Sequence, residues 1–168
     1  MKRLLALVVG ICVLAVGCAT LNITTGGLLY KEEAVSRVSN YETAGMSVGA
    51  TKGPLETLCA SGKMGSTDCA KARIAYSGAR DLYMQTGVVL SNLINATTEA
   101  DVANLRASEQ QMIIEIASKL TTIYILMGTK QMAVVKDVAS GGTALTAADR
   151  SALILRINAA KQYVPLWQ

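Results

Sequence analysis

Residues 98–127, TEADVANLRASEQQMIIEIASKLTTIYILM, decide the fold class of this chain. Apolar residues recur along this stretch every three or four positions, which is the spacing of one face of an α-helix. Thr98 stands just before Glu99 and Asp101, an arrangement typical of a helix N-terminus, whose positive end favours acidic residues. The stretch therefore predicts a long helix, with these residues on its buried face: Val102, Leu105, Met112, Ile113, Ile116, Leu120, Ile123 and Met127.

The second half of this helix, from Met112 to Gly128, is apolar on almost every side. A helix of this kind is central in a bundle or contacts a partner, and central packing is the simpler interpretation. With Glu115 and Lys119 inside it, the segment is a poor membrane span. Gly128 ends or bends the helix, because an apolar face continues to about Ala139. If a partner binds, we expect it to contact Ile114, Ile125, Leu126 and Trp167.

Three further segments have helical periodicity. The first runs from Leu28 to about Ala50, where residues 51–54 (TKGP) break or kink it before a short segment that reaches Ala60. The second runs from about Thr67 to Asn95. Its Gly78 and Gly87 each cost about 1 kcal/mol of helix propensity, and we expect them to allow close approach of a neighbouring helix. The last opens with a capping-box sequence, residues 146–149 (TAAD), and extends to about Tyr163.

No segment has the alternating pattern of a β-strand, and the helices are joined by short turns. The sequence therefore predicts an all-α fold, an antiparallel four-helix-bundle-like domain over residues 28–168 after a flexible N-terminal tether. The apolar tail that contains Trp167 either docks on this bundle or binds a partner.

The first seventeen residues have the three parts of a secretion signal. Lys2 and Arg3 precede an apolar run from Leu4 to Gly17, and small residues lead into Cys18. Fourteen helical residues span only about 21 Å, short of a hydrocarbon core of about 30 Å. A signal peptide over residues 1–17 is therefore expected. The alternative is a buried helix of the folded domain, although this run has no polar face to meet water.

The end of the run, residues 14–20 (LAVGCAT), resembles the lipobox of bacterial lipoproteins. The resemblance implies cleavage before Cys18 and lipidation of its thiol, so that the lipid holds the chain on a membrane. Because Ala19 rather than Asp follows the cysteine, the resemblance also implies an outer-membrane location facing the periplasm. Residues 18–27 would then form the tether. The alternative is ordinary cleavage after the small residues Ala15 and Gly17. The mature part is similar to small, alanine-rich helical lipoproteins of envelope and prophage gene clusters in its general composition, although it shares no motif with them.

Counting the cysteines favours the lipoprotein interpretation. The chain has four, Cys12, Cys18, Cys59 and Cys69, and Cys12 lies in the predicted signal peptide. If Cys18 is acylated, Cys59 and Cys69 are left to pair, and no free thiol remains in an oxidising compartment. Such a disulfide would staple a hairpin between two helices. A metal site or a redox-active pair is the alternative, but two thiols alone do not fill a zinc shell, and redox pairs usually have CxxC spacing.

Composition narrows the function classes. Without Lys2 and Arg3 the chain has 14 basic against 12 acidic residues, and they are scattered, so we expect no nucleic-acid partner. The absence of histidine removes Ser-His and Cys-His catalysis and the commonest metal ligand. We expect no enzyme, no cofactor and no metal. The acidic residues are expected on solvated helix faces: Glu32, Glu33, Asp68, Asp81, Glu109 and Glu115.

Two functions remain compatible with the sequence. The first is a lipid-anchored helical envelope protein with a structural or protein-interaction role, bound to a further envelope protein. The alternative is a small-molecule or lipid-binding module, with a pocket inside the bundle lined by Met112, Met127, Tyr83 and Tyr124.

Overall fold

The structure, a computed structural model, describes residues 27–129, 137–139 and 141–167. Four α-helices lie in these ranges: α1 (Lys31–Ala60), α2 (Ser66–Asn95), α3 (Glu99–Leu126) and α4 (Ala147–Ala160), followed by a 3-10 turn, Lys161–Tyr163. The described residues contain no β-strand, only an isolated bridge between Tyr30 and Ala144. The predicted all-α fold is confirmed. The predicted signal peptide, Cys18 and the tether up to residue 26 lie outside the described residues.

The first three helices alternate in direction because short turns join them. Residues 61–65 connect α1 to α2, and residues 96–98 connect α2 to α3. The fourth helix differs, since residues 127–146 separate it from α3 and the chain returns to the first end of the bundle. Asp149 pairs with Lys31, and Arg156 pairs with Glu42. Because residue numbers increase in the same direction along both helices, α4 runs parallel to α1. α1, α3 and α4 therefore all run antiparallel to α2 and parallel to one another.

The helix boundaries follow local chemistry. The Thr98 side chain caps α3 by accepting from the N–H of Asp101, and Thr146 with Asp149 forms the predicted capping box of α4. Gly128 adopts a φ of 69°, a left-handed conformation that suits glycine, and α3 ends just before it at Leu126. The predicted continuation to about Ala139 falls mostly on residues 130–136, outside the described residues.

The first helix does not end at the TKGP segment as one of our expectations had it. α1 continues through Pro54 to Ala60 as a single helix. Proline removes one backbone donor, the partner of the carbonyl four residues earlier. That carbonyl belongs to Ala50, which is exposed, so solvent can supply the missing donor. Burial of Leu55 at the next position keeps the last turns of α1 packed on the bundle.

A reciprocal contact between tyrosines and glycines joins α1 to α2. The rings of Tyr41 and Tyr83 stack with centroids 4.2 Å apart and planes 4° from parallel. Each hydroxyl lies over a glycine of the opposite helix: Tyr41 over Gly87 and Tyr83 over Gly45. The predicted close approach at Gly87 is confirmed, because a Cβ there would lie 2.6 Å from the Tyr41 hydroxyl oxygen. We call these four residues the Tyr–Gly interlock.

The chain after α4 closes the α1–α2 side of the bundle. The Tyr83 hydroxyl donates to the carbonyl of Ala160 at 2.9 Å, and the Tyr76 hydroxyl donates to that of Pro165 at 2.8 Å. Val164 is buried between these two contacts. The tail therefore docks along α2, which is one of the two alternatives left open by the sequence.

Candidate functional site

The clearest functional element of the sequence, Cys18, lies outside the described residues and stays a prediction. The described part starts nine residues later, at Gly27. What the structure places are the other candidate residues: the cysteine pair, the expected partner surface and the charged side chains.

Cys59 and Cys69 lie at disulfide-bonding distance, with their Cα atoms 5.7 Å apart. They join the last turn of α1 to the first turn of α2, across the turn of residues 61–65. In the chain-entropy model a loop of this size stabilises the fold by roughly 3 kcal/mol. The Cys59 sulfur also contacts the Met64 sulfur at 4.0 Å. The pair staples the α1–α2 hairpin, as the sequence predicted.

An open groove of about 670 Å³ lies beside this pair. Trp167 forms one wall, with its ring edge-on to Tyr76 at a centroid distance of 5.3 Å and the Arg73 guanidinium 5.6 Å from its ring centre. Trp167 was expected at a partner surface, but its ring is engaged by its own bundle. The groove is lined by Glu56, Cys59, Ala60, Gly62, Met64, Ser66, Cys69, Ala70, Arg73 and Trp167.

The other three expected partner residues lie on α3 and divide into two groups. Ile114 is 44 % exposed and Ile125 is 69 % exposed. They are eleven positions apart, which is about 20° around the helix and about 16 Å along it. Leu126, by contrast, is partly buried and packs against the core. The outward apolar surface of α3 is therefore carried by Ile114 and Ile125, and we call these two residues the α3 surface.

Four charged side chains are buried together between α1 and α3. Glu33 accepts from the Arg37 Nε at 2.8 Å and from the Arg106 Nε and Nη2 at 2.8 and 2.6 Å. Arg37 also pairs with Glu109. All four are buried, Glu33 to 1 % exposure. We call Glu33, Arg37, Arg106 and Glu109 the buried ion cluster.

The buried ion cluster also holds the start of the described chain. Arg106 Nη1 donates to the carbonyl of Gly27 at 3.1 Å, and Nη2 donates to that of Leu28 at 3.3 Å. On the opposite side of this segment, the backbone N–H of Lys31 donates to the carbonyl of Thr143 at 2.8 Å. The entry into α1 is therefore held by α3 on one side and by the segment before α4 on the other.

Two of our sequence expectations are wrong at this cluster. Glu33 and Glu109 were expected on solvated faces, and both are buried. Burial raises the pKa of Glu109 although the Arg37 guanidinium lowers it. A signal was present: Arg106 and Glu109 occupy the positions between Val102 and Ile113 at which the buried face of α3 continues. Charged residues are rarely buried unless they are paired, and here the paired charges lie on the apolar face itself.

The structure does not gather the four residues expected to line an internal pocket. Tyr83 fills the α1–α2 interface, where it stacks on Tyr41. Gly78 faces Lys119 across the antiparallel α2–α3 pair, which places Tyr124 near the level of Arg73. Ten residues of helix, about 15 Å, therefore separate Tyr83 from Tyr124. Met112 and Met127 lie half-buried at two further levels of α3.

Within residues 27–129, 137–139 and 141–167 no group of three or more Cys, Asp or Glu side chains has a metal-binding arrangement. None of the helices placed in those ranges has both the length and the hydropathy of a membrane span. No protein-family model, curated protein or solved structure matches the chain.

Proposed function

We propose that this chain is a lipid-anchored helical protein of the cell envelope, with a structural or protein-interaction role. Its anchor is Cys18, and its location is the outer membrane, facing the periplasm. The observation that carries the proposal is the pairing of Cys59 with Cys69. Of the three cysteines after residue 17, it leaves Cys18 outside the pair, and disulfides persist in oxidising compartments such as the periplasm.

The anchor is tested by Cys18→Ser in the full chain. The variant is expected to lose its acyl group and to leave the membrane fraction, because serine supplies no thiol for acylation. Cys12→Ser is the matched control: it removes a cysteine from the segment that cleavage discards, so the mature protein should stay acylated and membrane-bound. Mass spectrometry of the N-terminal peptide gives the second readout. Membrane association of Cys18→Ser equal to that of the unchanged chain, with no acyl mass in either, defeats the proposal.

The outer-membrane location depends on Ala19. By the lipobox resemblance, Ala19→Asp should move the protein to the inner-membrane fraction of a density gradient while acylation is kept. Thr20→Asp places the same charge one residue later and should leave the outer-membrane fraction unchanged. An unchanged chain that already fractionates with the inner membrane contradicts the outer-membrane part of the proposal and leaves the anchor intact.

The interaction role is supported by the α3 surface, Ile114 and Ile125. These two apolar side chains share one exposed face, with the exposed Ser118 between them. Exposed apolar residues that stand alone are ordinary on protein surfaces, and the support that Ile114 and Ile125 give is that both face the same side of α3. We expect a further envelope protein to contact this face of α3.

The partner contact is tested by photo-crosslinking in cells, with the photoreactive residue at Ser118. A crosslinked protein band should form, and Ile125→Glu should abolish it by placing a charge in the contact. Ile74→Glu is the matched control, because Ile74 is 74 % exposed but lies on α2. Loss of the band in both variants, or no band in the unchanged chain, contradicts this role for the α3 surface.

A further inference from the structure

The point at which the chain enters the bundle is fixed by the structure. Arg106 donates to the carbonyls of Gly27 and Leu28, and Leu29 is buried. This entry lies at the end of the bundle where α1, α3 and α4 begin, together with the turn of residues 96–98. We call it the entry end. The opposite end, with the turn of residues 61–65 and the groove beside Trp167, is the distal end.

The length of the tether and the length of the bundle together limit how the bundle can be oriented on the membrane. From Cys18 to Gly27 the chain has nine peptide links, which reach about 30 Å when fully extended. α1 has 30 residues and is therefore about 45 Å long. A bundle inverted on the membrane would need its entry end about 45 Å above the surface, and the tether does not reach that far.

We propose that the entry end is the membrane-proximal end of this protein and that the distal end, with the disulfide and the Trp167 groove, is presented away from the lipid. This inference rests on the proposed anchor at Cys18. The entry end stays within one tether length of the membrane surface, whereas the distal end can swing about the entry end. Because the membrane excludes the inverted orientations, the mean height of the distal end exceeds that of the entry end.

The experiment uses the full acylated chain on vesicles of phosphatidylethanolamine and phosphatidylglycerol, with an energy-transfer acceptor on the lipid headgroups. One donor dye is placed at the entry end through Thr97→Cys and another at the distal end through Lys63→Cys. Both positions are exposed, and labelling without reductant keeps the native disulfide. Transfer from the Lys63 position is expected to be clearly weaker than transfer from the Thr97 position.

A second pair of variants tests the length argument itself. Inserting nine flexible residues between Gly26 and Gly27 doubles the reach of the tether to about 60 Å, which exceeds the length of the bundle. The inverted orientations then become accessible, so the difference between the two labels should shrink. The matched control scrambles residues 19–26 without changing their number, and the difference should remain.

The outcomes separate this inference from the proposed anchor. Equal transfer from the two labels of vesicle-bound protein, or stronger transfer from the Lys63 position, overturns the orientation while the anchor stands. A difference that is undiminished after the nine-residue insertion contradicts the length argument and overturns the inference as stated. Protein that carries no acyl group and stays in solution overturns both.

Discussion

At the level of single residues, the junction between α1 and α3 depends on ion pairs as well as on apolar packing. The buried ion cluster contains two carboxylates and two guanidiniums, so its formal charges balance, and every member bonds to another member. Removing two charges from water costs several kcal/mol per ion, and pairing recovers that cost only when the geometry satisfies the hydrogen bonds. We therefore expect the buried ion cluster to disfavour other pairings of these helix faces, in which its charges would lose their partners.

Removing Glu33 should destabilise the fold strongly. Glu33→Ala leaves Arg106 and one side of Arg37 without a carboxylate in a buried site, a change that typically costs about 3–5 kcal/mol. Urea unfolding should show a lower midpoint, with a similar slope because the surface exposed on unfolding is unchanged.

The control for this prediction is Glu115→Ala on α3. Glu115 is exposed and accepts a hydrogen bond from the nearby Gln111 side chain, so its loss should change stability by no more than about 0.5 kcal/mol. Equal midpoints for the two variants would show that the buried ion cluster contributes nothing beyond a surface carboxylate.

The capping residue Asp149 should titrate at an unusually low pH. A hydrogen bond from Lys31, followed by those from Thr146, lowers the pKa of Asp149 from 3.8 to about 2. Because the native pKa is lowered, the stabilising contribution of the ionised carboxylate is present above pH 3.8 and is lost as the pH falls through about 2. An NMR titration of the side-chain carboxyl measures this value.

Lys31→Met tests the cause of that low pKa. It should raise the pKa of Asp149 and leave it below 3.8, since the Thr146 bonds remain. Lys63→Met, at the distal end, should not change it. A midpoint near 3.8 in the unchanged chain would mean that the ion pair and the capping box do not persist in solution. The pKa shift of Glu109 has the opposite sign to that of Asp149. Because the pKa of Glu109 is raised in the folded state, its ionisation destabilises the fold as the pH rises.

At the level of helices, the Tyr–Gly interlock sets the distance between α1 and α2. Burial raises the pKa of Tyr41 to about 12 and raises that of Tyr83 as well, which reflects how completely the two rings are enclosed. The glycines are needed because each hydroxyl occupies the space that a Cβ of the opposite helix would take. Alanine at either glycine would force the helices apart.

Gly87→Ala should therefore destabilise the protein by about 1–3 kcal/mol, the usual cost of overpacking a close contact. Gly78→Ala is the matched control on the same helix. Its added Cβ meets only the end of the flexible Lys119 side chain, at 3.0 Å, and alanine improves helix propensity by about 1 kcal/mol. Thermal or urea unfolding of the two variants should give shifts of opposite sign.

Removing the opposing hydroxyl should relieve the Gly87→Ala defect in part. Tyr41→Phe deletes the oxygen nearest to the new methyl group, although the ring carbon that carried it remains 3.1 Å away. The double variant should be more stable than the sum of the two single effects. Strict additivity would show that the clash is relieved elsewhere in the α1–α2 interface.

Helix boundaries were predictable where a capping side chain or a left-handed glycine marks them. Thr98 and Thr146 cap their helices with side-chain oxygens, and glycine ends α3. Pro54 was misleading, because the cost of proline inside a helix depends on the packing around it, and that packing is non-local. In the sequence, the Tyr–Gly interlock was visible only through a glycine that lowers helix propensity. The tyrosines that contact the glycines are known only once the pairing of the helices is known.

At the level of the whole molecule, the sequence predicted four helices and a common core, but not the direction of the last one. Periodicity states which face of a helix is buried and carries no information on which neighbour buries it. The parallel course of α4 depends on contacts such as Arg156 with Glu42, 114 positions apart. Of the candidate site, the cysteine pair was predictable from parity, whereas the buried ion cluster and the docking of Trp167 were not.

Trp167 is the one tryptophan of the chain and should report unfolding of the whole bundle. It packs on Tyr76 of α2 at the distal end, so its emission should shift to longer wavelength when the tail is released. For a single cooperative domain, the fluorescence and far-UV circular dichroism transitions in urea should coincide. A fluorescence change at lower urea would show that the tail undocks while the helices are intact.

The Tyr–Gly interlock has a consequence for finding relatives of this chain. It consists of two copies of Tyr-x-x-x-Gly, at residues 41–45 and 83–87, and each copy fits only against the other. A substitution in one copy therefore selects for a change in the other, so the two should covary in descendant sequences even where the rest has diverged. The paired motif can be combined with Glu-x-x-x-Arg at residues 33–37 and Arg-x-x-Glu at residues 106–109. Together they form a search pattern that does not depend on sequence similarity elsewhere in the chain.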